Sequence, residues 1–336
     1  MYEAEKLVIS KFGYTPEKIV PAKDAIIFSA GQNRVIALKN IGASPDRAKF
    51  IFAAKEHLFN NGFTNIDRTI CMPSGDPFCV AGDKTFMVCD MPLGRSCNFD
   101  KTEEFLYSIR TLAHLHNAGK GFSAPAGSIE RNKLGEMLER LKKRNKGLKS
   151  FIKIARKRMN KFDILFLHNV TSFYNDGIEA LDRVQTAGYD DIVKNARTQE
   201  QLCHYNYFHE NVIIDSNVQM HVINFEKICY DSKVYDIVNV LRRKLRRSDW
   251  DLNIALKAIE AYDSINCLET PELHLLFALL LFPQKFWRIS NEYYKNAGKT
   301  HYREKEHIAK MYEIVEEKKH QDVFIKELKK VLRIFP

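Results

Sequence analysis

The chain has 336 residues, of which 45% are hydrophobic and 28% are charged. This composition excludes an intrinsically disordered or collagen-like chain and allows one large buried core or two unequal ones. The excess of 52 Lys and Arg over 42 Asp and Glu gives a net charge of +10 at pH 7, which favours anionic partners.

The N-terminal segment, residues 1–6, lacks the basic and apolar regions of a secretory leader. We therefore expect the protein to stay in the cytoplasm of the cell that makes it. Residues 2–20 predict a short helical or irregular entry that ends near Pro16 and Pro21.

Short apolar runs separated by turns follow, and one helical segment interrupts them. The helix is predicted over residues 45–60, with Asn61 and Gly62 closing it. Two strands, a helix and three further strands are the element order of a kinase small lobe. We therefore predict an antiparallel-sheet lobe over residues 1–91. Its strands are predicted at 25–28, 34–38, 69–72, 78–80 and 85–89.

A strand ending in lysine, residues 35–39, is similar to the kinase strand whose lysine contacts nucleotide phosphates. We predict that Lys39 binds nucleotide and that Glu56, on the following helix, holds it. The preceding turn has Gly31 as its single glycine, whereas a phosphate-cradling loop usually has several, so a plain hairpin turn is predicted. Residues 87–95 resemble the hinge that meets an adenine, and Met91 is the predicted nucleotide contact there.

From residue 92 onward the pattern becomes helical, which predicts a large helical lobe over residues 92–336. Thr102 is the predicted cap of a helix whose apolar positions follow a 3.6-residue period up to His116. Later helices are predicted at about 129–159, 170–186, 270–282, 284–295 and 300–333. The apolar run at 275–282 is far shorter than the roughly 18 to 20 residues that span a bilayer, so we expect a buried helix and no membrane span.

A basic helical insertion is predicted at about residues 129–161. Between Arg140 and Lys161 there are eleven bases and no acid. This segment is either an ordinary solvated helix face or a surface that binds an acidic protein or another polyanion. It contains neither an aromatic stacking platform nor a base-reading motif, which disfavours nucleic acid. The residues assigned to the basic face are Lys142, Lys143, Arg144, Arg156, Lys157 and Arg158.

Residues 203–226 have the spacing of a phosphotransferase active site. A kinase catalytic loop reads His-x-Asp-x-x-x-x-Asn, but this chain has His204, Asn206 and Asn211 at those positions. Asn206 stands where the general base belongs, and an amide oxygen is too weak a base to accept the substrate proton. The contribution of that base, roughly 10²- to 10⁴-fold in rate, is therefore lost. His204 is predicted to support the loop through backbone hydrogen bonds.

The metal-binding position carries a second replacement. An Asp normally follows the apolar pair after the catalytic loop, and here that residue is Asn224. Mg²⁺ prefers carboxylates and phosphate oxygens, so a neutral amide weakens the site. Asn211 persists as a metal ligand, and Glu226 is the best candidate for a displaced one. Nucleotide and Mg²⁺ are therefore expected to bind weakly or not at all.

The seven cysteines are scattered, odd in number and without a Cys-x-x-Cys pair. This pattern predicts reduced, mostly buried thiols rather than a disulfide framework or a zinc site.

Taken together, these motifs resemble the aminoglycoside phosphotransferase and choline kinase branch of the protein-kinase-like fold. Within that branch the chain is similar to the CotS-type spore coat proteins. The features that indicate this subgroup are residues 61–63, 115–122, 161–163 and 282–287, together with Tyr293 and Tyr294.

The resemblance implies a two-lobed α+β fold, a small-molecule kinase ancestry and assembly with other spore coat proteins. It also implies synthesis in the cytoplasm of the mother cell followed by deposition in the spore coat. Three hypotheses follow. The first is a catalytically degenerate kinase-like protein, or pseudokinase, acting in coat assembly, and the second is an active ATP-dependent phosphotransferase with relocated acids. The third is a binder of anionic polymers.

Overall fold

The structure, a computed structural model, describes residues 3–22, 25–31, 34–296 and 304–333. The chain divides into two compact units. The first comprises Met1–Asn132, Ala196–Asp236 and Glu260–Cys267, and the second comprises Lys133–Asn195, Ile237–Ile259 and Leu268–Pro336. The lobe boundary predicted between residues 91 and 92 falls inside the first unit and stays a prediction.

Helices and strands are numbered in chain order. The N-terminal part contains α1 (Glu3–Lys11), β1 (Ile19–Ala22), β2 (Ala25–Ser29), β3 (Val35–Asn40), α2 (Pro45–Asn60), β4 (Thr69–Ile70), β5 (Cys79–Ala81), β6 (Lys84–Met91), β7 (Arg95–Ser96) and α3 (Thr102–Ala118). The middle contains α4 (Glu136–Arg158), α5 (Lys161–Thr186), α6 (Tyr189–Thr198), β8 (Leu202–Cys203), β9 (Val212–Ile214), β10 (Met220–Val222) and β11 (Cys229–Tyr230). The C-terminal part contains α7 (Val234–Leu245), α8 (Leu252–Asp263), α9 (Thr270–Leu281), α10 (Gln284–Asn296) and α11 (Glu304–Val331).

A six-stranded antiparallel sheet forms the N-terminal part of the first unit. Its order is β1-β2-β3-β6-β4, with β5 also paired to β6. Because β3 has a partner strand on each side, its backbone groups are satisfied and its apolar residues Ile36 and Leu38 are buried. Lys39 pairs in register with Met87 and is itself 4% exposed. The predicted antiparallel sheet is confirmed, although Gln32 and Asn33 of the predicted turn lie outside the described residues.

Local chemistry explains the bounds of α2. The Ser44 side chain accepts a hydrogen bond from the Arg47 backbone N–H, and Pro45 occupies the first helical position. The helix ends at the predicted Asn61, and Gly62 takes the left-handed φ of 88° that glycine tolerates. The bounds predicted for this helix are confirmed.

Three other helix starts were predicted wrongly. Thr102 is the first residue of α3 rather than its cap, and the residue at the cap position, Lys101, makes no capping bond through its side chain. The basic helix α4 begins at Glu136 rather than near residue 129, because Gly135 has a φ of 84° that a right-handed helix cannot include. Helix α5 begins earlier than predicted, where Asn160 and Asp163 form a reciprocal capping box.

A small hairpin places the candidate site. Strands β9 and β10 pair antiparallel, β7 adds to β9, and β8 pairs with β11. A parallel bridge joins Ile66 to Val222. These pairings bring residues 204–211 and 223–226 together and lay the segment after residue 65 beside them.

The second unit has an aromatic core. Phe162 stacks on Tyr293 with ring centroids 3.6 Å apart, and Phe173 stacks on Phe286 at 4.0 Å. As predicted, α9 is buried along its apolar run. In the ranges that the structure describes, no helix has the length and apolarity needed to cross a membrane.

Two glycines allow a test of the packing. A Cβ at Gly94 would lie 2.2 Å from the Ile214 backbone oxygen, whereas a Cβ at Gly147, inside α4, would lie no nearer than 3.5 Å to its closest neighbour. We expect Gly94→Ala to lower the free energy of unfolding by about 1–3 kcal/mol because the backbone must move. Gly147→Ala should raise it by roughly 0.5–1 kcal/mol because alanine favours the helix. Urea unfolding of both variants measures the two effects, and a stabilised Gly94→Ala would contradict the packing described.

Candidate active site

The ammonium group of Lys39 is the centre of the site. It donates to Asp67 Oδ2 at 2.5 Å and to Asn224 Oδ1 at 2.7 Å. Burial alone would lower the pKa of Lys39, but the Asp67 carboxylate outweighs this effect and the pKa is raised. Lys39 is therefore charged and already engaged by the protein.

Asp67 is shared between two lysines. It is 1% exposed, and its second oxygen lies 3.1 Å from Lys55 Nζ. Burial alone would raise the pKa of the carboxyl group, but the ammonium groups of Lys39 and Lys55 outweigh it and lower the pKa. The same carboxylate raises the pKa of Lys55 against the effect of burial. All three groups are thus ionised in the interior.

The predicted active-site amides bond to one another. Asn224 Nδ2 donates to Asn211 Oδ1 at 2.7 Å, and Asn211 Nδ2 donates to the Asn206 backbone oxygen at 2.8 Å. The Asn224 backbone N–H donates to Asp67 Oδ2 at 3.2 Å. An ion pair therefore joins Lys55 to Asp67, and a chain of hydrogen bonds runs on from Asp67 through Lys39, Asn224 and Asn211 to the loop at residues 204–211.

Glu226 lies near the same lysine. Its Oε1 is 3.5 Å from Lys39 Nζ. The site thus holds two ammonium groups, Lys39 and Lys55, and two carboxylates, Asp67 and Glu226, so their formal charges sum to zero. An aspartate at position 224 would have left an excess negative charge for a divalent cation, and Asn224 does not supply it. The residues present do not fit a Mg²⁺–nucleotide site of ordinary affinity.

His204 has the structural role predicted for it. The Asn206 backbone N–H donates to His204 Nδ1 at 3.2 Å, so Nε2 carries the proton and donates to the Ile223 oxygen at 3.1 Å. Burial lowers the pKa of the imidazole, which favours this neutral form. His209, the nearest alternative base, packs instead with its ring centroid 5.8 Å from that of Phe99.

Asp236 supports the catalytic loop from behind, in a role that sequence reasoning missed. It accepts the Tyr205 backbone N–H at 2.9 Å and contacts His116 Nε2 at 3.2 Å. Tyr205 has a left-handed φ of 65°, and its ring stacks on Tyr235 with centroids 4.1 Å apart. A side chain in this conformation is strained, and the stack and the Asp236 contact hold it there.

His116, Cys203 and Asp236 also place ligand atoms within 4.8 Å of one another. The second nitrogen of His116, Nδ1, already bonds the Tyr262 hydroxyl at 2.7 Å, so the cluster is satisfied without a metal.

The predicted pairing of Glu56 with Lys39 is wrong. Glu56 bonds Arg68, with its Oε2 2.9 Å from the guanidinium. Consecutive helix residues point about 100° apart, and it is Lys55 that faces the interior. Lys55 lies among the buried apolar residues of α2, between Ile51 and Leu58. A base at such a position indicates that a buried acid pairs with it, and this was the signal in the sequence. The binding role proposed for Glu56 therefore lacks the geometry on which it was based.

The remaining predicted site residues are dispersed. Met91 ends β6, half-buried, and its contact with nucleotide stays a prediction. Lys142, Lys143, Arg156 and Lys157 are exposed on α4. Arg158, at the end of α4, donates to the Tyr293 hydroxyl at 2.8 Å and lies 3.5 Å from Asp163. Arg144 departs from the predicted basic face, because its guanidinium lies over the Trp287 ring at 4.6 Å and donates to Gln284 Oε1 at 2.6 Å.

Of the cysteines, five are buried, Cys71 is half-buried and Cys267 is exposed, and all seven are free thiols. This agrees with the prediction of reduced, mostly buried thiols. Cys89 lies beside the site, with its Sγ 3.5 Å from Lys55 Nζ. Burial raises its pKa, so it stays a neutral thiol there.

The sheet, the lysine on β3 and the loop that ends in Asn211 define the kinase-like phosphotransferase fold, with amides at the positions predicted for the base and the metal. The chain belongs to the family described as "Spore coat putative kinase YutH", whose model matches residues 5–328. The predicted membership of the CotS-like spore coat proteins is confirmed.

Solved phosphotransferases share this fold. An aminoglycoside phosphotransferase from Alicyclobacillus acidocaldarius subsp. acidocaldarius DSM 446 is 20% identical, with a TM-score of 0.86 over 98% of this chain and 96% of that one. Spectinomycin phosphotransferase APH(9)-Ia, solved with ADP and spectinomycin, is 12% identical with a TM-score of 0.61, covering 94% of this chain and 96% of its own. The amicoumacin kinase hAmiN, solved with AMP-PNP, Ca²⁺ and Ami, is 12% identical with a TM-score of 0.60, covering 95% and 93%. These likenesses confirm the predicted α+β kinase-like fold.

Replacing the shared carboxylate tests the site. We expect Asp67→Asn to destabilise the protein by about 3–5 kcal/mol at pH 7, because it leaves two buried ammonium groups without their acid. The pKa of Asp67 is lower in the folded protein than its unfolded value near 3.9. Its contribution to the free energy of unfolding is therefore complete above the unfolded pKa and is lost as the pH falls through the folded pKa. The difference between wild type and variant should therefore shrink in acid. Urea unfolding from neutral to acidic pH measures it.

The matched control is Asp83→Asn, which removes the same charge from an exposed turn. We expect it to change the free energy of unfolding by less than about 0.5 kcal/mol at every pH. Equal effects of the two substitutions would show that the Asp67 pairs do not stabilise the fold.

Proposed function

We propose that this chain is a catalytically degenerate kinase-like protein of the spore coat, acting as an assembly or interaction module with other coat proteins. The observation that supports this most directly is the closed bonding of Lys39, Asn224 and Asn211. Groups that would hold nucleotide phosphates and metal in an active enzyme bond to each other instead. On this proposal the protein is made in the mother cell and then joins the coat.

The base position supports the same conclusion. The Asn206 backbone oxygen accepts from Asn211, and its side chain has no basic atom. The imidazole that accepts its backbone N–H, His204, is buried and uses both ring nitrogens in backbone bonds. A substrate hydroxyl at this loop would lose its proton without a general base, which costs roughly 10²- to 10⁴-fold in rate.

The metal position adds a larger penalty. A unit negative charge about 4 Å from a monovalent cation is worth on the order of 4 kcal/mol at an effective dielectric near 20, and more for a divalent ion, as an upper bound. Asn224 lacks this charge. The positively charged Lys39 ammonium lies 2.7 Å from the Asn224 side-chain oxygen Oδ1. The ammonium group therefore occupies the ligand that a metal would need.

A turnover assay tests the proposal. We expect no ATP turnover above background with Mg²⁺ or Mn²⁺ against sugars, amino alcohols or casein. A ligand that binds the native state raises the melting temperature, so we also expect no rise with ATP and metal. The double variant Asn206→Asp, Asn224→Asp restores both acids and should gain a metal-dependent rise in melting temperature. Robust phosphotransfer by the wild type that Asn206→Ala abolishes would overturn the proposal.

A second candidate function is an active small-molecule phosphotransferase in which Glu226 serves the metal. The position of Glu226 favours it, since its carboxylate lies 3.5 Å from Lys39 Nζ and is 28% exposed. In this case the enzyme would use ATP on an alcohol acceptor, with Glu226 and the Asn211 amide as the available oxygen ligands.

Substitution of Glu226 separates the two candidates. If the chain is degenerate, Glu226→Gln should leave the melting temperature equally insensitive to ATP and Mg²⁺ as in the wild type. If Glu226 holds the metal, Glu226→Gln should abolish turnover while Asn224→Asp changes the rate only modestly. Glu210→Gln, an exposed change in the neighbouring 204–211 loop, controls for local charge.

A further inference from the structure

The second unit contains a groove of about 590 Å³ between α4 and α5. These helices are consecutive, and buried side chains of both, including Leu148 of α4 and Phe173 of α5, belong to one core cluster. The groove therefore lies on the outer side of a packed helix pair. It is remote in sequence from the Lys39 site and shares none of its residues.

The α4 wall of the groove is basic. Lys142, Lys146 and Lys149 recur at intervals of four and three residues, which places them on one face of the helix. All three are exposed, and only Lys142 has a described ion pair, with the exposed Glu139 at 2.7 Å. An exposed pair of this kind contributes little and leaves the ammonium accessible.

The α5 wall is mixed and partly apolar. It consists of Tyr174, Ile178, Leu181, Asp182 and Gln185, which again recur at helical spacing. Ile178 is 48% exposed, which is a large exposed fraction for an apolar side chain beside a row of bases. Among the described residues that line the groove, three carry an ammonium group and one, Asp182, carries a carboxylate.

Asn145 forms the inner edge of the groove. It is 3% exposed, and its Nδ2 donates to the Tyr174 backbone oxygen at 3.3 Å. A Cβ at Gly177 would lie 2.2 Å from Asn145 Oδ1, so the two helices approach this closely only because residue 177 is glycine. The close approach fixes the spacing of the two walls.

The chemistry of the two walls selects one kind of occupant. A polyanion such as nucleic acid would satisfy the lysines but would leave Ile178 and Leu181 against water. An apolar segment would cover the isoleucine but would bury the lysines without counter-charges, which is costly. A helix with an acidic edge and an apolar edge satisfies both walls, and its side chains repeat at the same three- and four-residue intervals.

We infer that the α4–α5 groove docks an acidic amphipathic helix of a partner protein. The inference deepens the proposed assembly role and rests on it for its biological meaning. The carboxylates of the partner helix face Lys142, Lys146 and Lys149, and its apolar residues pack on Ile178 and Leu181.

The probe for the experiment is a fluorescein-labelled synthetic helix with leucines at positions i, i+3, i+4 and i+7 and glutamates beside them. Binding to the full chain is followed by fluorescence anisotropy. We expect saturable binding that Lys142→Glu, Lys146→Glu, Lys149→Glu weakens about tenfold or more, because like charges would then meet across the interface. The control Lys305→Glu, Lys310→Glu, Lys326→Glu makes the same change in net charge on exposed positions of α11 and should leave binding within about twofold.

The apolar wall is tested separately. Ile178→Asp should weaken peptide binding about tenfold, whereas Ile164→Asp, at a similarly exposed position of α5 outside the groove lining, should have little effect. Circular dichroism of each variant verifies that the helices remain folded.

Absence of peptide binding, or equal weakening by both lysine triples, would overturn the inference. Displacement of the peptide by polyphosphate together with no effect of Ile178→Asp would show a plain polyanion site instead. The outcome is independent of catalysis: phosphotransfer by the wild type would end the pseudokinase proposal and leave the groove measurement standing. A failed peptide titration without turnover would end only the groove.

Discussion

The buried Asp67 carboxylate determines the state of this site. One carboxylate in the interior faces two ammonium groups, Lys39 and Lys55, and its ionised form persists because those charges outweigh the cost of burial. Removing the carboxylate would leave two buried ammonium groups without a counter-charge, whereas removing either lysine would leave one ion pair. The orientation of Lys39, and through it the position of Asn224, follows from this constraint.

This constraint gives the kinase-like lysine, Lys39, different bonding partners from those that its motif predicts. In an active site of this class, the lysine contacts phosphate oxygens and a nearby aspartate binds metal. Here the lysine donates to the amide that stands at the metal position, and that amide donates onward to Asn211. Lys39 donates two of its three ammonium N–H groups to Asp67 and Asn224, so a nucleotide phosphate would compete with partners that the protein itself supplies.

The parts of the fold that could be predicted from sequence are those with a local chemical cause. Helix α2 was predicted at its observed bounds because residues such as Asn61 and Gly62 act on the backbone next to them. The start of α4 was missed because the left-handed conformation of Gly135 depends on its surroundings. The pairing of Lys39 was missed for a different reason. Its partners are 28 and 185 residues away, and no periodicity in the sequence relates residues at such distances. The identities of the amides at positions 206 and 224 were readable, but the bonds that Asn211 makes to the Asn224 side chain and to the Asn206 backbone oxygen are a property of the fold.

A binding module and a degenerate site are compatible in physical terms. The loops of an active kinase rely on nucleotide and metal to complete their polar contacts, and they change when these ligands leave. In this chain several groups of the site are bonded within the protein itself: His204 to the backbone, the Asn206 backbone oxygen to Asn211, and Asn211 to Asn224. These bonds tie residues 204–211 to residues 223–226 within the first unit. A protein that is permanently assembled into a larger structure benefits from such a fixed shape, because its partners then meet one surface and pay no ordering cost on binding.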